Sequence, residues 1–522
     1  MKSEADIEQI DVDAVNSKTY RSLYEARKKI HPKRATGDFR RFKWAVMFIT
    51  LGIYYITPWI RWDRGDGLPD QAVLLDLANR RFYFFFIEIW PHEFFYVAGM
   101  LVMAGIGLFL VTSILGRAWC GYTCPQTVWV DLFLVVERFF EGERNARIKL
   151  DAAPWTPSKA IKRGAKHFVW LVIAVATGGA WIFYFADAPT LLVDLFSGQA
   201  YFAAYATIGT LTATTYIFGG LMREQVCTYM CPWPRIQAAM LDEHSLTVTY
   251  NDWRGEPRSR HLKRMRKEGV STGDCVDCNA CVAVCPMGID IRDGQQMECI
   301  SCALCIDACN GVMERLGLEK GLISYATLSD YDANMALAGA GKHVGSPQII
   351  QENVRDEFGK LSERVKRFSP WVFARTRTLI YLFVYAAIGI AMLVHLGMRE
   401  RLDVKILPDR NPQFVVLSDG SIRNGYELKI LNMKGESQQF LISVGGLQNP
   451  KISEAGSIYA ADNWLATEVP ADKTKALKVF VAMSRDHLRQ SSTPFNFIVS
   501  EMGSTDQKTV SSMFKAPREI AK

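Results

Sequence analysis

Between Asp274 and Asn310 the chain reads DCVDCNACVAVCPMGIDIRDGQQMECISCALCIDACN. This stretch holds the spacing C-x2-C-x2-C-x3-C twice: Cys275, Cys278, Cys281 and Cys285, then Cys299, Cys302, Cys305 and Cys309. Three thiolates cap three corners of an iron–sulfur cubane only when few residues separate them, and the fourth corner must be reached from elsewhere. Zinc takes its four ligands as two pairs rather than as tandem runs of this kind. Disulfides are disfavoured on a segment expected to face a reducing cytoplasm. The spacing therefore predicts two [4Fe–4S] clusters.

The same spacing occurs in bacterial ferredoxins with two clusters, where the motifs exchange their last ligands. On that pattern Cys275, Cys278, Cys281 and Cys309 hold one cluster, and Cys299, Cys302, Cys305 and Cys285 hold the other. Pro286 follows the first run as the pattern expects, whereas Asn310 stands in that place after the second. This departure is expected to alter the turn and its solvent access.

Elsewhere the chain carries membrane segments. At 522 residues it has room for two or three domains. Five apolar stretches are long enough, or nearly so, to span a bilayer: Trp44–Ile60, Phe94–Leu115, Phe168–Ala186, Tyr201–Leu221 and Thr378–Met398. Aromatic residues crowd several of their ends, as at a lipid interface. Residues 1–43 carry eleven Lys and Arg and lack the pattern of a signal peptide, so they read as a cytoplasmic arm. Its basic run, Pro32–Lys43, reads as a solvated positive anchor. The loop 116–167 has nine Lys and Arg, the segment 61–93 has four and the loop 191–200 has none. The positive-inside rule then places the N-terminus, 116–167 and 222–377 in the cytoplasm and 399–522 in the periplasm of a Gram-negative cell. The net charge of +7 suits basic membrane-flanking loops; no recognition motif points to nucleic acid. The expected divisions are an arm (1–43), four transmembrane helices (44–245), a ferredoxin-like domain with linker (246–370), a fifth helix (371–398) and a periplasmic domain (399–522).

A repeat lies inside the membrane part. Cys120-Gly-Tyr-Thr-Cys124-Pro125 follows the second apolar stretch and Cys227-Thr-Tyr-Met-Cys231-Pro232 the fourth, each preceded by an arginine, Arg117 or Arg223. Both read C-x-Y-x-C-P, which predicts a pseudo-symmetric pair of hairpins with four thiols together at the cytoplasmic rim. On a helix, residues four apart share a face at about 6 Å, and the proline ends or bends that helix. Paired thiols suit Cu(I), which prefers soft ligands, and Met222, Met230 and Met240 are near in sequence. A dithiol–disulfide relay, a further iron–sulfur cluster and plain buried cysteines satisfy the same pattern. His92, His167 and His395 sit at membrane-segment edges without ligand spacing and read as interfacial polar residues.

Ser245–Tyr250 alternates as a short strand does, and the basic stretch Arg254–Lys267 is expected to wrap the ferredoxin-like part or lipid headgroups. The stretch 311–370 reads as surface helix and linker; its AGAGKHVG is not a phosphate-binding loop. Residues 405–522 read as all-β, with strands Phe414–Leu417, Tyr426–Met433, Gln439–Val444, Ala476–Met483 and Phe495–Glu501. Ser418-Asp419-Gly420 and Arg423-Asn424-Gly425 are expected to be turns, giving a small antiparallel sandwich with a binding or docking role.

In the order of these parts the chain resembles the cytochrome c oxidase accessory protein family, of CcoG, FixG or RdxA type. The resemblance is carried by both C-x3-C-P motifs, by the cysteines from Cys275 to Cys309, and by the stretch Asp409–Asn424, which resembles the start of that family's immunoglobulin-like domain. It implies a multi-domain inner-membrane protein: a five-helix bundle, a cytoplasmic two-cluster ferredoxin-like domain and a periplasmic immunoglobulin-like β sandwich. It implies a cupric reductase that supports assembly of cbb3-type oxidase, with Cys120, Cys124, Cys227 and Cys231 handling copper and the other eight cysteines holding two clusters. The implied partners are copper ions, a copper-transporting ATPase or chaperone, oxidase assembly factors and lipid; homo-oligomerisation stays open. Two rivals are a quinol-linked electron-transfer module serving a periplasmic reductase and a non-catalytic assembly scaffold.

Overall fold

The computed structural model describes residues 9–15, 28–65, 68–339, 374–399, 402–434, 436–456, 461–471, 473–504 and 506–517. The chain forms two compact units, residues 1–62 with 71–392 and residues 63–70 with 393–522. Of the stretch 311–370, expected as surface helix and linker, the part to Ala326 is corrected. It holds a helix end at Leu316 and a strand, Ile323–Ala326, with Val312, Met313, Leu322 and Ile323 in the core, because it closes over the cysteine runs. Residues 340–370 lie outside the described residues.

The first unit opens with α1 (Asp38–Ile56), followed by a three-stranded antiparallel sheet, β1 (Val73–Asp76), β2 (Arg81–Phe84) and β3 (Ile87–Ile89). That sheet occupies a segment the sequence reads only as a connecting loop. Then come α2 (Phe95–Leu115), α3 (Ala118–Tyr122), α4 (Pro125–Glu141), α5 (Arg144–Ala152), α6 (Pro157–Ile182), α7 (Ala188–Ser197) and α8 (Phe202–Thr215). Helix α8 passes into a π-helical turn, Tyr216–Met222, and a second such turn, Val226–Met230, precedes α9 (Trp233–Met240). The cysteine-rich part contains β4 (Thr247–Tyr250), α10 (Asp252–Gly255), α11 (Leu262–Lys267), α12 (Ala280–Val284), α13 (Leu304–Leu316), β5 (Ile323–Ala326) and α14 (Leu328–Gly339). Strand β4 pairs antiparallel with β5 and closes this part. Helix α15 (Thr376–Met398) follows.

Among the described residues three helical segments are long and apolar enough to cross a membrane: Pro91–Leu115, Pro157–Ile182 and Thr376–Met398. Their surroundings differ. The most apolar windows of the first and third are 6% and 0% buried, while that of the second is 39% buried, so α6 is the helix the bundle packs around. Leu101 and Phe383 stand 70% and 73% exposed; such an apolar surface would be costly in water and is at home in lipid. Of the five spans that the sequence reads as long enough, or nearly so, three meet that measure here. Trp44–Ile60 and Tyr201–Leu221 are largely helical, yet fall short of those three. Helix α1 spends its first turns on Asp38, Arg40, Arg41 and Lys43, and its apolar part, Trp44–Ile56, is only about 20 Å long at 1.5 Å per residue.

The basic run Pro32–Lys43, which extends into α1, is a solvated anchor only in part: Arg34 and Arg41 are exposed, but two of its cations are not. Arg40 and Lys43 are buried. Arg40 donates to both carboxylate oxygens of Asp131 in α4, at 2.9 and 2.7 Å, and Lys43 lies 3.7 Å from the same carboxylate. A second charged hub holds α4, α5, α6 and the π-helical turns together. Glu137, fully buried, has Arg223 at 2.7 Å, Arg147 at 3.4 Å, Lys29 at 3.7 Å and Lys166 at 4.0 Å. Burial raises its carboxyl pKa, but Arg223, Arg147 and the lysines outweigh that and hold it at about 2. Aromatic packing completes this region: Phe133 stacks on Trp170 at 5.3 Å, and the indole N–H of Trp170 donates to the Phe133 carbonyl at 3.0 Å.

The second unit is a two-sheet β sandwich. Its strands are β6 (Leu402–Pro408), β7 (Val415–Val416), β8 (Ile422–Asn432), β9 (Gln438–Gly445), β10 (Lys451–Glu454), β11 (Ala461–Asp462), β12 (Trp464–Val469), β13 (Thr474–Met483), β14 (Ser492–Glu501) and β15 (Gln507–Lys515). One sheet runs β11-β10-β13-β8-β6 with β7 beside β8; the other runs β12-β9-β14-β15. Leu477, Val479, Val481 and Met483, and Phe495, Phe497 and Val499, fill the core between them, as strand alternation requires. Ser418-Asp419-Gly420 is a turn. Arg423-Asn424-Gly425 is not: it lies within β8, where Gly425 pairs with Phe480 and Asn424 faces inward among Ile422, Tyr426, Leu428 and Ile430. The inward alternation on both sides of Asn424 overrides its local turn preference.

Candidate iron–sulfur and thiol sites

The two cysteine runs adopt one local design. In each, the residues flanking the middle cysteine have left-handed backbone: Asp277 and Asn279 at φ 48° and 57°, Ser301 and Ala303 at φ 52° and 59°. Each such residue costs about 1–2 kcal/mol, so both loops hold a conformation their sequences disfavour. The first is braced by Arg292, which donates to Asp277 at 2.7 Å and to Asn279 at 2.8 Å. The second is braced by Tyr325, whose hydroxyl donates to the Ser301 carbonyl at 2.5 Å. A helix begins immediately after each left-handed pair. Here Asn310 matters: α12 stops at Cys285-Pro286, whereas α13, lacking a proline, runs through Asn310 to Leu316. The Asn310 side chain accepts from the Gly321 N–H at 2.9 Å, tying this helix to the segment before β5.

Folding gathers the cysteines into groups. Cys275, Cys278, Cys281 and Cys309 line one cavity of about 340 Å³. Cys285, Cys299, Cys302 and Cys305 line a second of about 380 Å³, which Cys281 also borders. Cys309 and Cys285 thus lie across from their own runs. Burial pushes the Cys285 thiol up to about 12, against the N–H groups of Ile289 and Met287, and pushes Cys281, Cys305 and Cys309 upward as well. Such thiols become ligands only where a cation makes up for lost water. The Ser301 N–H reaches the Cys299 sulfur at 3.4 Å, the kind of contact that tunes cluster potentials. Burial opposes the charge on Arg292, but Asp290 and the sulfurs of Cys281 and Cys275 outweigh it and keep that guanidinium firmly protonated beside the first cavity.

The four cysteines of the membrane repeat also converge. Cys227 has Cys124, Cys120 and Cys231 as electrostatic neighbours, Cys120 has Cys124 and Cys231, and Cys124 has Cys231, so all six pairs are close. Burial pushes Cys120 and Cys227 up to about 12, with Arg117 pulling both the other way. Cys120 donates to Gln237 Oε1 at 3.1 Å, and Gln237 donates to Thr112 at 3.2 Å. Among the described residues, however, no three His, Cys, Asp or Glu side chains converge as a single metal ion requires. This holds for the two ferredoxin-like quartets too: the sulfurs surround spaces rather than meet at points.

The repeat site and the second cavity are neighbours. Gly121 packs so closely on the second run that a Cβ there would lie 2.7 Å from the Ile300 carbonyl oxygen and 3.0 Å from Cys302 Cα. The Tyr122 hydroxyl lies 3.4 Å from the Cys302 carbonyl oxygen and 3.3 Å from the Tyr325 hydroxyl. Arg117 donates to the Met297 carbonyl and is an electrostatic neighbour of Cys299 as well as of Cys120 and Cys227. A third tie joins α13 to α1: Asp307 accepts from the backbone N–H groups of Phe39 and Arg40 at 3.3 and 2.7 Å and so caps that helix. Another cavity, of about 560 Å³, is lined by Arg40, Asp131, Arg223 and Cys227 and shares Pro286, Met287, Ile300 and Leu304 with the second cluster cavity. Sequence reasoning identified every cysteine and both arginines. It missed Gln237, Arg292, Gly121 and Asp307, whose roles depend on partners distant in sequence. The histidines take ordinary roles where a partner is seen: His167 Nδ1 hydrogen-bonds the Tyr216 hydroxyl at 2.8 Å.

Cysteine quartets packed against long apolar helices define a membrane-bound iron–sulfur protein. Residues 222–328 match the family described as "4Fe-4S dicluster domain", residues 97–141 match "4Fe-4S binding domain", and residues 392–517 match the "IG-like fold at C-terminal of FixG". The chain is 60% identical over 517 residues to "Nitrogen fixation protein FixG" of Rhizobium meliloti (strain 1021), covering 99% of this chain and 98% of that protein. It is 53% identical to "Protein RdxB" of Cereibacter sphaeroides (88% and 90% covered) and 52% identical to "Protein RdxA" of the same organism (83% and 86% covered). The chain belongs to the FixG/Rdx family of iron–sulfur oxidoreductases.

Proposed function

We propose that this protein is a cupric reductase of the bacterial inner membrane, which reduces Cu(II) to Cu(I) one electron at a time for the assembly of a cbb3-type oxidase. The observation that carries this reading is the close packing of Gly121 on the Cys302 backbone, which sets the four thiols of the membrane repeat beside the second cysteine quartet. The two ferredoxin-like quartets fit resident clusters: they line separate cavities, and their buried thiols call for a compensating cation. Cys275, Cys278, Cys281 and Cys309 would hold one cluster and Cys299, Cys302, Cys305 and Cys285 the other. Bound there, each supplies reversible one-electron storage. Arg292 sets positive charge beside the first group, and Arg117 beside the second and the membrane repeat. Tyr122 and Tyr325 hold the two sites in register.

Each Cu(II) takes one electron, so a two-electron donor such as a quinol serves two ions and releases two protons. The product is a softer ion that thiolate and thioether carriers accept, and a copper-transporting ATPase or chaperone is the expected recipient. We read the membrane part as five crossings, α1 and α8 with its π-helical turn joining the three apolar spans, with the clusters cytoplasmic and the sandwich periplasmic. The family resemblance carries a second reading, in which a quinol-class donor feeds electrons through the clusters to an acceptor other than copper. Cu(I) formation by the anaerobic full-length protein, followed with a Cu(I)-specific chelator, separates the two. The Cys120→Ser, Cys124→Ser variant is expected to lose at least tenfold of the rate while the EPR signals of the two ferredoxin-like clusters persist. An unchanged rate would overturn the copper reading.

A further inference from the structure

Three segments of this chain share the pattern C-x3-C-P: Cys120–Pro125, Cys227–Pro232 and Cys281–Pro286. The third belongs to the ferredoxin-like part. The structure gives all three one backbone design. The first cysteine lies in a short helical turn, and the second is extended just before the proline, with ψ of 127° at Cys124, 122° at Cys231 and 119° at Cys285. In the ferredoxin-like part this segment gives one sulfur to each cavity, Cys281 to the first and Cys285 to the second, so the shared backbone presents each position for ligation, and the other half of the membrane repeat must decide which sulfurs share a site.

The ligand count points the same way. Residues 97–141 match a "4Fe-4S binding domain" but contain only two cysteines, Cys120 and Cys124. A [4Fe–4S] cubane takes four thiolates. The fold brings the second half of the repeat to them: Cys120 and Cys227 pack in one apolar cluster, and each of the four cysteines is an electrostatic neighbour of the other three. A cubane offers each of the four sulfurs a separate corner. The surroundings suit an anionic group. Helix α4 begins at Cys124-Pro125, and the Gln126 and Thr127 N–H groups reach the Cys124 sulfur. Arg117 stands beside Cys120 and Cys227.

We propose that Cys120, Cys124, Cys227 and Cys231 together ligate a third [4Fe–4S] cluster, built from both halves of the membrane repeat and adjoining the second ferredoxin-like cluster. In this arrangement the four cysteines hold a resident electron carrier next to the copper substrate rather than the copper itself. The inference rests on the reading of the ferredoxin-like quartets given above, and on the membrane repeat for what it adds. Its test is iron and acid-labile sulfide analysis with EPR on anaerobically purified full-length protein, beside the Cys120→Ser, Cys124→Ser and Cys227→Ser, Cys231→Ser double variants. Three cubanes require about twelve irons and twelve sulfides per chain. Each double variant should lose about a third of both and the same EPR component, because each removes half of one ligand set. Mössbauer spectra of the unmutated protein give an independent count if a variant fails to fold. A count of about eight irons in the unmutated protein, with copper bound at the repeat and lost in both variants, would overturn the third cluster and leave the two-cluster reading standing. A count well below eight would overturn both.

Discussion

The two halves of the membrane repeat have the same motif and lead different structural lives. In the first, Tyr122 is buried against the cysteine-rich part; in the second, the equivalent Tyr229 is 60% exposed. Gly121 is pressed on the Cys302 backbone, while the equivalent Thr228 has room for a side chain that donates to the Glu224 carbonyl at 3.0 Å. The two preceding arginines are both buried, but Arg117 donates to Met297 in the cysteine-rich part whereas Arg223 turns to Glu137 in the bundle. The first half is thus the docking half and the second the anchored half. A repeat in sequence supplies equal thiols; what packs on them makes the two halves unequal.

Loss of the anchor should have the largest effect. Glu137→Gln leaves Arg223, Arg147 and Lys166 without their shared buried carboxylate, and breaking a buried pair of this kind costs about 3–5 kcal/mol. Thermal unfolding in detergent measures it. The same residue has a pH signature. Its folded pKa of about 2 lies below the ordinary 4.5, so its stabilisation is fully present above pH 4.5 and is lost as pH falls toward 2. The Gln variant should lose that segment of the pH–stability curve; an unchanged curve would show that the hub does not carry it.

The next test exchanges the halves. Gly121→Thr forces side-chain atoms against Ile300 and Cys302 backbone, an overpacking worth about 1–3 kcal/mol. It should also lower electron delivery from the ferredoxin-like clusters by at least tenfold in stopped-flow measurements. The converse change, Thr228→Gly, should cost only about 0.5–1 kcal/mol through backbone entropy and leave delivery within twofold. Equal effects would show that the halves are interchangeable. The smallest effect distinguishes the tyrosines. Tyr122→Phe removes hydroxyl contacts to Tyr325 and Cys302, for about 1 kcal/mol, and Tyr229→Phe should change stability less, as read by denaturant titration.

How much of this was legible beforehand follows from how local each signal is. Cysteine spacing within either run involves a few residues of loop, so the grouping of each run could be read directly. Alternation along β8, β13 and β14 identified those strands, because an inward face needs only period two. The short strands β1–β3 carried too little pattern, and Asn424-Gly425 carried a turn signal that the pairing of β8 with β13 overrode. The five apolar stretches were visible, but not that α1 opens with buried Arg40 and Lys43 paired to Asp131.

The sequence by itself determined which side chains carry the chemistry: twelve cysteines, their spacing, the prolines that stop the chain after Cys124, Cys231 and Cys285, and the apolar length of the main spans. These are short-range facts, set by how far a loop can reach and how many residues cross a bilayer. Only the tertiary structure decided that Cys120 and Cys124 share a site with Cys227 and Cys231, that Gly121 rests on Cys302, and that two like arginines serve different partners. Those contacts join residues 86 or more positions apart. They exist because α4, α6 and the π-helical turns pack around a buried carboxylate, and no local pattern records which surfaces such packing brings together.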